Sequence, residues 1–244
     1  MSQVINICKR ELTSYFATPV AYVFLMIFLI MAGVFTFYLG SFYERGQADL
    51  LSFFNFHPWL YLFFMPAISM GLWSQERQLG TIELLMTLPV TLWQAVLGKF
   101  LAAWLFSGLA LLLTFPIWLT VNYLGSPDNG IIFAGYIGSW LMAGSFLAIG
   151  GCMSALSRNQ IVAFIMAVVI SFLFMVSGLN IVIDLFSGWA SQQLIDLIAS
   201  LSFLTRFESV SRGVIDIRDL IYFLTLMVSW LYLTTQVIDR KKAQ

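Results

Sequence analysis

Residues 74–90, SQERQLGTIELLMTLPV, lie between two long apolar runs yet carry Glu76, Arg77 and Glu83, with Gly80 and Pro89 bounding a short series of leucines. At the centre of a membrane span an apolar residue contributes about −0.3 to −0.6 kcal/mol, whereas one acid costs about 2.5–3.5 kcal/mol. Leu79, Ile82, Leu84, Leu85, Met86 and Leu88 together barely offset Glu83, and Arg77, Gly80 and Pro89 add to the cost. The segment therefore belongs at a membrane surface. Gly80 ends the helix before it, Thr81 is placed to cap a new one, and Glu83 falls in the first turn, where its charge complements the helix dipole. Pro89 stops that helix after about two turns. Thr91 and Gln94 have capping-box spacing, so a further helix starts there and runs through Lys99 into the next apolar run. A two-turn helix does not hold in water alone, so this one needs a surface to pack on.

The rest of the chain supplies the membrane setting. Of its 244 residues, 60% are hydrophobic and only 10% charged, against about a quarter charged in soluble domains. This is the composition of an all-α polytopic membrane protein. Net charge is zero, so overall charge gives no pull towards nucleic acid. Cys8 and Cys152 are too few for a disulfide scaffold or a thiolate metal site. The opening MSQVINICKRELTSYF lacks the order of a secretory signal, so the first span is expected to be retained.

Residues 1–17 read as an interfacial helix. Val4, Ile5, Cys8, Leu12, Tyr15 and Phe16 share one side, Gln3, Asn6, Lys9, Arg10, Thr13 and Ser14 the other, and Ile7 breaks the pattern. Thr18 and Pro19 restart a helix. Six spans are expected, over 20–39, 53–73, 100–123, 131–156, 161–183 and 220–238, each near the 20 residues that cross the hydrocarbon. Pro58 and Pro66 in the second and Pro116 in the third predict kinks. Gly135, Gly138, Gly144, Gly150 and Gly151 in the fourth permit close helix approach. An inside N-terminus puts Lys9, Arg10, Arg77, Lys99, Arg158, Arg240, Lys241 and Lys242 in the cytoplasm and Arg45, Arg206, Arg212 and Arg218 outside. Eight against four favours that orientation, with both termini cytoplasmic. Residues 74–99 are then a cytoplasmic connection between spans 2 and 3. Residues 184–219 form an outer segment of short amphipathic helices, with Ser191 as an N-cap and Gly213 as a stop; an ordinary surface hairpin of helices reads as well from the residues alone.

Residues 57–103, HPWLYLFFMPAISMGLWSQERQLGTIELLMTLPVTLWQAVLGKFLAA, resemble the ABC-2 class of ABC transporter permeases, and most of all the gliding-motility-associated branch, with its pattern E-R-x-x-G-T-x-E-L-L-x-T-x-P-V followed by G-K. Six spans, a leading interfacial helix and a structured outer loop extend the likeness over the chain. The resemblance implies that the short helix is a cytoplasmic coupling helix docking on a separate ATP-hydrolysing subunit. Its coupling residues would be Glu76, Arg77, Gly80, Thr81, Glu83, Leu84, Leu85, Thr87 and Pro89. Gln75 stands where the family often has an acid. The bland alternative is an interfacial helix that braces only its own bundle.

The chain itself offers little chemistry. No stretch fits the phosphate-binding G-x-x-x-x-G-K-[ST] pattern, so ATP and Mg are expected on the partner ATPase and no cofactor in this chain. No span carries a central charge of the kind a proton relay uses. His57 is a lone histidine, read as packed at the interface rather than as a zinc ligand. The expected function is the permease subunit of an ATP-driven exporter in the plasma membrane. Its expected partners are two ATPase subunits, a second permease copy or homologue, a possible accessory subunit with an outer-face domain, and the lipid bilayer. The alternatives are a mechanical transducer or anchor acting on an outer-face partner without moving solute, and a free-standing membrane enzyme.

Overall fold

The computed structural model describes residues 2–81, 90–187, 190–214 and 216–241, and every regular element among them is helical. The elements are α1 (Ser2–Ala17), α2 (Pro19–Val34, continued by a π turn over Phe35–Leu39), α3 (Leu51–Ser69), α4 (Gly71–Leu79), α5 (Leu92–Leu112) and α6 (Phe115–Leu124). They continue with α7 (Asn129–Leu156), α8 (Gln160–Val176), α9 (Asn180–Ser187), α10 (Gln192–Ser200), α11 (Phe203–Ser211) and α12 (Ile217–Arg240). Four stretches are long and apolar enough to cross a membrane: Pro19–Arg45, Leu92–Leu124, Asn129–Leu156 and Ile217–Arg240. The 19 residues of α3 include Asn55, His57, Pro58 and Pro66. The apolar α8 has 17 residues, about 25 Å at 1.5 Å per residue.

The bundle is built around α7, which packs against α12, α8, α3, α11, α5 and α4. Phe146, Leu147, Ala148 and Ile149 on α7 are fully buried. Gly150 explains how α3 comes so near: a Cβ there would stand 1.9 Å from the Ser69 hydroxyl and 2.9 Å from Ser69 Cβ. Phe54, Val210 and Met227 crowd Gly135, Gly138 and Gly144 in the same way, whereas Gly151 has only an ordinary contact.

One end of the bundle collects α1, α4, the start of α5, the end of α7 and the end of α12, joined by bonds among Glu11, Glu76, Lys99, Arg77, Ala155, Leu156 and Lys241. The opposite end collects the turns near Asp49 and Pro127 with the end of α11, which together line a cavity of about 240 Å³. There Phe203, Phe207 and Val210 bury the apolar face of α11, while Arg206 pairs with the buried Asp219 at 3.1 Å. Ser191 precedes α10 as its N-cap, without a side-chain capping bond, and Gly213 follows α11 in the left-handed region at φ 88°.

Several local expectations are corrected. Thr18 does not cap α2 with its side chain; its hydroxyl turns back and donates to the Tyr15 carbonyl at 3.0 Å. Pro58 and Pro66 both lie inside an unbroken α3, and the interruption falls at Met70. The stretch 100–123, by contrast, is interrupted where Pro116 predicts: it is two helices, broken at Leu113–Thr114, with Pro116 in the first turn of α6. The stretch 161–183 also divides, because the Ser202 hydroxyl bonds the Met175 carbonyl and the Ser202 side chain occupies the space beside Gly178. On α1 the roles of Ile5 and Ile7 are exchanged: Ile5 is 64% exposed, and Ile7 sits over Gly98 of α5. A partner helix with a glycine notch, rather than lipid, sets that face.

The break at Met70 has a specific cause. Ser154 of α7 inserts its hydroxyl into the α3–α4 ladder, accepting from the amides of Trp73 and Ser74 at 3.0 Å each and donating to the Met70 carbonyl at 2.6 Å. A side chain entering the i→i−4 ladder is a recognised cause of a helix break. Ser154→Ala takes away the partner of the Trp73 and Ser74 amides, while the Met70 carbonyl keeps the Ser74 hydroxyl; it is expected to cost about 1–3 kcal/mol, read as a lowered melting temperature of the purified chain in neutral detergent.

Candidate functional site

The segment 74–99 is best approached from its two stems. Its first stem, α4, ends where sequence places the stop: Gly80 takes the left-handed conformation at φ 70°. Its second stem, α5, starts with a complete capping box. The Gln94 amide donates to the Thr91 hydroxyl at 3.3 Å, and the Thr91 amide donates to the Gln94 side chain at 3.0 Å. Between the stems, Glu83, Leu84, Leu85, Thr87 and Pro89 lie outside the described residues. Thr81 is exposed, and its hydroxyl reaches the Glu76 carbonyl at 3.4 Å.

The stems are held by a buried charge. Lys99, on the first turns of α5, has a side chain only 4% exposed. Its ammonium lies 2.8 Å from Glu76 Oε1 on α4 and 3.2 Å from Glu11 Oε1 on α1, and stands 5.4 Å from the Trp73 ring centre. Arg10 meets Glu11 from the solvent side at 2.8 Å. Close helix contact makes this possible, because a Cβ at Gly98 would stand 2.7 Å from the Ile7 side chain. One lysine thus joins three helices. Glu76 and Arg77, candidate partner contacts, are half-buried and each bonds within the bundle: Glu76 to Lys99, and Arg77 to the Ala155 carbonyl at the end of α7, 2.5 Å away. Cations at helix C-termini are favoured by the helix dipole.

The same cluster lines a cavity of about 560 Å³ walled by α1, α2, the end of α3, α4 and α5, with Glu11, Tyr15, Phe24, Ile68, Leu79 and Lys99 among its lining. Sequence counted Lys99 as one more basic residue. The available signal was its place within an apolar run, next to a glycine, with acids on the two neighbouring amphipathic segments. Ser154 carried no signal, being 80 and 81 residues from the amides that it binds.

Burial would raise the Glu11 carboxyl, but Lys99 and the Arg10 hydrogen bond more than reverse this and hold it below its ordinary value of 4.5. Because the folded value is the lower one, the pairing contributes stability above pH 4.5 and loses it as pH falls through the depressed folded value. Hydrogen exchange of the α1 amides should therefore be slow at pH 7 and should accelerate, relative to unfolded controls, once the pH falls below that value. Removing one partner of a buried pair costs about 3–5 kcal/mol, so Lys99→Met alone should lower the melting temperature by roughly 6–20 °C at about 2–4 °C per kcal/mol. Adding Glu11→Gln and Glu76→Gln should restore most of that loss, because no carboxylate is then left without its cation.

Among the described residues no group of three or more His, Cys, Asp and Glu is placed to hold a metal ion. His57 is fully buried, with Nδ1 2.8 Å from the Phe53 carbonyl and Phe53, Phe54 and Tyr61 around its ring. What the described residues of 74–99 show is a buried charge cluster that holds α1, α4 and α5 together.

Comparison with curated proteins found no match for this chain. A family profile described as "ABC-2 family transporter protein" matches residues 5–242, almost the whole sequence. Such permeases are the membrane components of ABC transporters, a family that implies a partnering ATPase subunit. With its apolar helices and a match of this extent, the chain belongs to the ABC-2 family of transporter proteins.

Proposed function

We propose that this chain is the permease subunit of an ATP-driven exporter and that residues 74–99 are its coupling element. In this reading α3 with α4, and α8, also cross the bilayer, giving six spans in the plasma membrane. The end rich in Lys and Arg, with both termini, faces the cytoplasm under the positive-inside rule. Two ATPase subunits sit beneath it, and a second permease copy or homologue completes the pathway. The pattern from Glu76 to Val90 supports placement nearest the gliding-motility-associated branch.

The observation that carries the reading is the fixing of α4. Glu76 ties it to α5 and α1 through Lys99, Ser154 and Arg77 tie it to α7, and Gly80 ends it just before the proposed lever. A lever transmits force only if its stem is fixed to what must move. Leu84, Leu85 and Leu88 take the apolar side of a short helix in a groove of the ATPase, and Glu83 and Thr87 make polar contacts at its rim. Closure of the ATPases on ATP moves this helix, and the clamps carry the motion into α5 and α7. The outer α10 and α11 act as the exit gate.

Leu84→Asp with Leu85→Asp should leave the permease inserted and its melting temperature unchanged, while ATPase recovery in a pull-down falls to background. Unchanged recovery removes the assignment. In vesicles, vigorous ATP turnover with no movement of any solute in a broad panel would favour the transducer instead.

A further inference from the structure

Three cations from distant parts of the chain meet at the end of α7. Arg77 donates to the Ala155 carbonyl and Lys241 to the Leu156 carbonyl, each at 2.5 Å, and Arg158 follows two residues later. The carbonyls at the end of a helix carry only about half a negative charge, so two of these side chains already exceed what the helix end neutralises. Arg158 is exposed. Among the described residues, none of the three shares an ion pair with a carboxylate. Their mutual repulsion is felt: burial, then Arg158, lowers the Arg77 guanidinium, and burial, then Arg77 and Arg158, lowers the Lys241 ammonium. At this end Lys99 and Arg10 are paired with carboxylates, whereas among the described residues Lys9 and Arg240, like these three, are not. What sets these three apart is that they gather at one helix end, where no ion pair with a carboxylate offsets them among the described residues.

We propose that Arg77, Arg158 and Lys241 form a binding site for the phosphate of an anionic phospholipid. The site lies at the ends of α7 and α12, both long and apolar enough to span the membrane, which places it at headgroup depth. This depth favours lipid over an acidic protein surface. A phosphodiester offers several strong acceptors that arginine and lysine reach together, and a basic residue near an anionic membrane surface contributes about 1 kcal/mol. Filling the site would relieve the repulsion among the three side chains and hold α4, α7 and α12 together. The inference needs only that these helices cross the bilayer; it is independent of how the ATPase docks.

The test is native mass spectrometry of the full chain in a neutral detergent, titrated with dioleoyl-phosphatidylglycerol, dioleoyl-phosphatidylcholine or inorganic phosphate. The probe variant is Arg158→Gln, chosen because its exposed side chain makes no hydrogen bond or ion pair among the described residues, so its melting temperature without lipid should match that of the parent. Phosphatidylglycerol should bind in preference to phosphatidylcholine and to inorganic phosphate. Its affinity should fall about fivefold in Arg158→Gln, the equivalent of about 1 kcal/mol, and recover in Arg158→Lys. Equal binding of the two lipids, or undiminished affinity in Arg158→Gln, overturns the proposal. Inorganic phosphate binding as tightly as phosphatidylglycerol overturns the lipid assignment in favour of a free anion. Absence of any phosphatidylglycerol adduct overturns it as well and leaves the patch to an acidic partner surface.

Discussion

An ammonium taken out of water has to be neutralised where it lies, and Lys99 meets that requirement with carboxylates from two other helices. Such burial carries a desolvation cost of several kcal/mol, so the arrangement holds only while both partners stay in place. This ties α1, which has too little apolar surface to enter the bilayer, to α4 and α5 at one end of the bundle. The glycine at position 98 supplies the space, and the lysine ammonium lies over the Trp73 ring. The rest of that end follows, since α4 sits where Ser154 and Arg77 can also reach α7.

This accounts for an otherwise wasteful feature. A helical connection between two membrane helices is most easily made as a loose surface turn. Here α4 is instead fixed on opposite sides up to its stop at Gly80. Through these bonds both stems of the connection, α4 and the start of α5, are fixed to the bundle. ABC-2 permeases work with a separate ATPase subunit, and a fixed connection of this kind is suited to receiving its motion.

What was legible in sequence was local. The Thr91–Gln94 capping box, the stop at Gly80 and the helix start at Pro19 depend on neighbours a few residues away, and the structure has them where the residues say. The all-helical class followed from composition. What stayed hidden was set at long range. The Ser202 hydroxyl that bonds Met175 comes from 27 residues further on, so nothing within 161–183 announced the break. Glu76 and Arg77 looked like surface charges because a single sequence lists side chains without their partners. The exchange of Ile5 and Ile7 arose in the same way, since the notch at Gly98 is invisible from α1.

The central claim is that the connection between α4 and α5 lies on the cytoplasmic side against the ATPase, and one thiol can test it. With Cys8 and Cys152 replaced by alanine, Thr81→Cys supplies a single reactive group at the exposed end of the α4 stem. In the intact complex a short bismaleimide should cross-link it to the ATPase subunit, with a yield that changes on adding ATP, and a membrane-impermeant maleimide applied from outside the cell should leave it unlabelled. Labelling from outside, or a complex in which this thiol cross-links to no other polypeptide, would contradict the account.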